Sequence, residues 1–140
     1  MHATPALHAS DIAGPAGAAV VFVALMALVR EPARRNLNAI LVAGACGLYL
    51  SGGFGVWELA YPVVAAPVAY LGLRHHRAIG IAWLMHAAWD LAHHLYGNPL
   101  WPFMPTSSVG CAVFDSLIAI WFLAGAPSPF RRAVSGVTPG

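Results

Sequence analysis

The chain has no lysine, and only 9% of its 140 residues carry charge. An average soluble domain carries roughly 25%. With 59% hydrophobic residues the sequence has too little polar surface to wrap a soluble core, and a bilayer removes the need for one. Cysteine is nearly absent. Cys46 and Cys111 lie inside apolar runs, with neither a CxxC spacing nor a secreted disulfide pattern, so they say nothing firm about compartment. No basic segment precedes the first apolar run, which predicts a first helix that stays rather than a cleaved signal peptide. No nucleic-acid partner is expected.

What is present is apolar and periodic. About 20 apolar residues cover a ~30 Å hydrocarbon core. Such runs occur at Ile12–Val29, Leu37–Gly53, Val56–Leu73, Ala78–Leu95 and Ser107–Ala124. The expected fold is all-α, an integral membrane bundle of about five transmembrane helices in one domain over residues 1–125. Residues 126–140 read as a flexible cytoplasmic tail. Ser51-Gly52-Gly53-Phe54-Gly55 reads as a tight hairpin between the second and third spans. Ala43, Gly47 and Ser51 form a small-residue stripe suited to close helix contact.

Arginine supplies the orientation. Arg30, Arg34, Arg35, Arg74, Arg77, Arg131 and Arg132 all fall on one side of a five-span arrangement. Cytoplasmic loops collect basic residues. The N-terminus is therefore expected outside and the C-terminus in the cytoplasm, in a multi-pass arrangement. The opposite loop, Gly97–Thr106, carries Pro99, Pro102 and Pro105 with Trp101 and Phe103, and is expected to fold over the outer end. His75 and His76, between Arg74 and Arg77, read as solvated or as lipid-headgroup contacts. Ser107 and Ser108 read as caps of the fifth span.

Ionisable groups inside spans are expensive and usually functional. On the fourth span His86, Asp90 and His93 share a ~60° arc, and His94 flanks it. The fifth span presents Ser108, Cys111 and Asp115 on one face, and the third presents Glu58 with Tyr61 one turn on. At 1.5 Å per residue Asp90 and Asp115 reach the same depth, roughly 12 Å below the outer boundary. Imidazole and carboxylate are the ligands of zinc and non-haem iron. The expected metal ligands are His86, Asp90, His93 and His94, holding a divalent zinc or iron. Asp115 completes or orients that set and, with Glu58, is a candidate catalytic residue. A metal-free proton relay and a purely structural polar seam use the same residues. Below His86 the inner half reads as dry, which favours a one-sided pocket over a through-path.

The stretch from His86 through Trp89-Asp90 and His93-His94 to Pro99, with the segment from Ser107 to Asp115, resembles a signature of a family of small, uncharacterised bacterial integral membrane proteins. Asp90-Leu91-Ala92-His93-His94 is also similar to the HxxHH box of membrane desaturases and hydroxylases, with an aspartate where that box has its first histidine. A further similarity is to membrane hydrolases that hold zinc with histidines, serine and aspartate. The first resemblance joins the two segments into one unit without supplying a reaction, and implies a multi-pass protein of a bacterial inner membrane. The polar cluster itself is read as the site of a membrane-embedded metal-dependent enzyme, a hydrolase, oxidoreductase or isomerase, acting on a small apolar or lipid-like substrate. The other reading is a metal or proton carrier, or an accessory subunit of a membrane complex. A homo-oligomer or a membrane-complex partner fits either.

Overall fold

A computed structural model describes residues 5–49 and 52–129. His2, Ser51, Arg131, Arg132 and the tail from residue 130 lie outside the described residues. The chain is all-helical: α1 (Ala9–Leu28), α2 (Ala33–Ala45), a 3-10 turn (Gly55–Leu59) running into α3 (Ala60–Leu71), α4 (His76–Tyr96) and α5 (Ser107–Leu123). Among the described residues there is no β-strand, only an isolated bridge between Trp101 and Met104. The second helix is shorter than its apolar run. It stops at Ala45, and the link to the 3-10 turn takes the place of the tight hairpin expected at 51–55.

Successive helices alternate in direction, as the bonds that join distant segments at each end show. At one end Ser128 donates to the Ala27 carbonyl at 2.7 Å, His76 Nε2 lies 2.7 Å from Glu31 Oε1, and Arg34 stands over the Trp121 ring. At the other, Asn98 N–H donates to Gly52 O at 2.8 Å, Thr106 donates to Asp11 at 3.0 Å, and Tyr49 donates to Ser108 at 2.9 Å. Arg30, Arg34, Arg35, Arg74 and Arg77 all belong to the first end. The Gly97–Thr106 loop is fastened to the second.

α4 is central and packs against α2, α3 and α5, whereas α1 packs chiefly against α5. Near the arginine end, α4 and α5 meet at Gly80, where a Cβ would sit 2.7 Å from Leu123 Cγ and 3.0 Å from Ala119 O. Ile79, Ala82, Trp83, Ile118 and Phe122 build an apolar core in this half. It is less dry than the sequence suggests. Arg34 is buried, with Nη2 2.7 Å and Nε 2.8 Å from Glu31 Oε1, and Asn38 beside it donates to the Arg34 carbonyl. His76 is not simply solvated but shares Glu31 with Arg34. Burial alone would raise the Glu31 pKa, yet the hydrogen bonds from His76 and Arg34 outweigh it and hold the carboxyl below its ordinary range. Replacing Arg34 by alanine opens a large buried volume and leaves its ion pair broken. We expect Arg34→Ala to cost about 2–4 kcal/mol, read as a fall in thermal midpoint with helicity retained. A midpoint within a degree of wild type would contradict this role.

The outside of the bundle is apolar. Val20, Ile40, Val63, Val64 and Ile120 are each at least 60% exposed, while His86, Asp90, His93 and Asp115 are buried. By length and composition α1 is the one described helix able to cross a membrane, with 20 residues and a mean hydropathy of 1.9. Gly55–Leu71 and Ser107–Leu123 are apolar but shorter.

Candidate metal centre and neighbouring dyad

α4 carries His86 and Asp90 one turn apart, and α5 brings Asp115 against them. One ligand atom from each of the three lies within 4.8 Å of the others, a buried group that could hold a metal ion. His86 Nδ1 is 2.7 Å from Asp115 Oδ2 and 3.3 Å from Asp90 Oδ2. The other ring nitrogen, Nε2, is 2.9 Å from the carbonyl of Ala45. The Ala45 carbonyl, at the early end of α2, also accepts the Leu48 N–H at 3.0 Å and takes the imidazole on its other lone pair. A carbonyl oxygen only accepts, and so Nε2 carries the ring proton. Nδ1 is thereby aimed at the two carboxylates. Such a backbone bond on the far nitrogen is the usual orienting contact of a metal-bound imidazole.

Asp90 is the outlier in this arrangement. It is 0% exposed, and neither carboxylate oxygen makes a hydrogen bond. Burying a carboxylate without compensation costs several kcal/mol in a real protein interior. Every described arginine is at the opposite end of the bundle. The compensation has to be a proton or a cation. One imidazole nitrogen and two carboxylates make a donor set that zinc or non-haem iron accepts, so the residues present fit a divalent metal.

His93 is not part of this group. One turn further along α4, its Nε2 lies 3.2 Å from Glu58 Oε2, while Glu58 Oε1 accepts the Phe54 N–H at 2.9 Å. The 3-10 turn before α3 places Glu58 there, and both residues are buried. His94, a further ~100° around the helix, is in neither group. It is half-buried, and its Nδ1 has no hydrogen-bond partner. The four-ligand set expected on α4 is thus divided: His86 and Asp90 meet Asp115, His93 meets Glu58, and His94 stands apart.

Tyr49 joins the two groups and was not singled out from the sequence, where it is one more residue of an apolar run. Its ring stacks on His93 at 3.8 Å between centroids and lies 6.3 Å from the His86 ring. Its hydroxyl donates to Ser108 Oγ. Ser107 and Ser108 are therefore not the caps of α5. Their hydroxyls accept the N–H groups of Trp101 and Leu100, at 2.9 and 3.2 Å, and hold the loop down. Above Tyr49, a pocket of about 350 Å³ is lined by Tyr49, Gly52, Asn98 and the prolines Pro99 and Pro102. Gly52 also touches the dyad, since a Cβ there would fall 2.7 Å from His93 Cε1 and 3.2 Å from Glu58 Oε1. Only glycine allows that approach.

Residues 10–128, all five helices, match the model of a family described as a family of unknown function, DUF6010. No curated protein and no solved structure matches the chain.

Proposed function

The chain belongs to the DUF6010 family, and for it we propose a membrane-embedded metal-dependent enzyme that acts on a small apolar or lipid-like substrate in the outer half of the bilayer. The observation that carries this reading is the buried Asp90 carboxylate, without a hydrogen bond, beside His86 Nδ1 and Asp115. His86, Asp90 and Asp115 would hold the ion. It would supply a Lewis acid that polarises a substrate oxygen or lowers the pKa of bound water. Glu58 is the acid–base group. The Phe54 N–H fixes one of its oxygens, and His93 lies at the other, where a proton can be held or passed. Tyr49 covers the dyad and keeps bulk water from it.

The membrane setting has its own support. The exterior is apolar and the polar residues are internal, the reverse of a soluble bundle. The arginines gather at one end, which we assign to the cytoplasm, so that the dyad and the proline-rich loop face outward. Arg34 and Asn38 are buried in the inner half, but the apolar core of Ile79, Ala82, Trp83, Ile118 and Phe122 there favours a one-sided site over a carrier's through-path.

Labelling in cells tests the setting. With both native cysteines replaced, a cysteine at Asn98 is expected to react with an impermeant maleimide in intact cells. A cysteine at the exposed His75 is expected to react only after lysis. The reverse pattern would overturn the orientation, and labelling of both in intact cells would overturn the membrane reading.

A further inference from the structure

A cavity of about 200 Å³ lies between α2 and α3, in the half of the bundle that carries the arginines. The buried Ala39 and Ala69 line its base, and Ile40 and Tyr70, 65% and 66% exposed, line its open side. Leu73 stands at its arginine end. We infer that this groove holds one acyl chain of an anionic phospholipid, whose phosphate head sits at Arg35 and Arg74 on the side assigned to the cytoplasm. The inference goes beyond the proposed function and rests on it for the membrane setting alone.

Position joins the arginines to the groove. Arg35 precedes Ala39 by one helical turn and Ala43 follows by another, so the guanidinium and the groove share a face of α2. On the α3 side Arg74 directly follows Leu73. Charge then selects the head. Glu31 is the one carboxylate at this end among the described residues, and Arg34 and His76 already share it. Arg35 is half-buried, and its Nε is enclosed without a hydrogen-bond partner. A phosphate diester supplies the missing negative charge and accepts from guanidinium groups, the pairing that basic pockets between helices make with lipid heads on the cytoplasmic side. A choline head would bring a positive charge to the same arginines. A second copy could use the apolar part of the groove, because alanines let helices approach closely. A two-fold pairing about the bilayer normal, however, sets Arg35 and Arg74 against their own copies, and like charge disfavours it.

Native mass spectrometry of the detergent-purified protein, titrated with dioleoylphosphatidylglycerol or dioleoylphosphatidylcholine, reads the binding constant of the first lipid bound. We expect phosphatidylglycerol to bind about thirty-fold more tightly, the ratio two arginines near an anionic head supply. Arg35→Gln and Arg74→Gln should each remove about five-fold of that preference, and the double variant all of it. Ala43→Phe, at an exposed position, should fill the groove and abolish the tight binding with both arginines in place. Equal binding of the two lipids would overturn the inference, as would a preference that survives the double variant or Ala43→Phe. A dimer that Ala43→Phe splits would overturn it too, by making a second copy the occupant. The maleimide labelling described above keeps the two readings apart. An intact orientation without lipid preference removes the groove assignment alone, and labelling of both positions in intact cells removes the membrane setting on which both readings stand.

Discussion

Asp90→Ala is expected to take the protein from about one metal ion per chain to background. The measurement is elemental analysis of detergent-purified protein expressed with zinc, iron, copper and manganese supplied. Asp90 and His86 are direct donors in the buried group, and removing either leaves two donors where a stable site needs at least three from the protein. Asp115→Asn should also lose metal, because a neutral amide replaces a charged ligand 2.7 Å from His86 Nδ1. His93→Ala, His94→Ala and Glu58→Gln fall outside the group and should keep metal. At most they weaken it by the ~10–100-fold typical of an outer partner. Acidification should release the ion, since both carboxylates and the imidazole must be deprotonated to bind it. Substoichiometric wild-type protein would refute the centre. Loss of metal in His93→Ala comparable to that in Asp90→Ala would refute the division into two groups.

The second large effect is thermal. A ligand present at 1,000 times its Kd stabilises the native state by about 4 kcal/mol, which for a chain of this size corresponds to a shift on the order of 10 °C. Chelation should lower the wild-type midpoint by that amount and leave Asp90→Asn unmoved. The order of the two proteins should then invert. With metal, wild type is the more stable. Without it, Asp90→Asn is at least as stable, because the substitution removes a buried charge that no hydrogen bond compensates. A metal-free polar network predicts no response to chelator in either protein, and identical shifts in both would place the ion elsewhere.

Much of this centre is legible in the sequence, and the limits have physical causes. Helical periodicity places His86 and Asp90 on one face of α4, and the spacing on α5 points Asp115 at the same level. Both follow from local geometry. The separation of His93 depends on where α2 stops and where Glu58 arrives. An apolar run extends to Gly53, yet the helix ends at Ala45, and that end exposes the carbonyl to which His86 commits its Nε2 proton. Glu58 is carried by a 3-10 turn, where a helical count from the third run does not apply. Ser107 and Ser108 sit at a helix start and look like caps, but the adjacent loop offers two backbone N–H groups and takes their hydroxyls instead. Arg34 counts in the sequence only as one of the arginines of the cytoplasmic side. It is buried because its guanidinium pairs with Glu31 and lies over the Trp121 ring.

The attachment of α1 to α5 also sets an order of events during synthesis. Among the described helices α1 precedes the other four in the chain, and its packing partner α5 follows them. If the bundle is built in the bilayer, α1 inserts and then waits without its chief packing partner until α2, α3, α4 and α5 have followed it. Insertion and association are then separate stages for this helix, and only the second needs sequence complementarity. Small residues at the seam serve that late encounter: a Cβ on Gly110 would come 3.1 Å from Pro15 Cγ, so the two helices can close on each other without any side chain having to be cleared first.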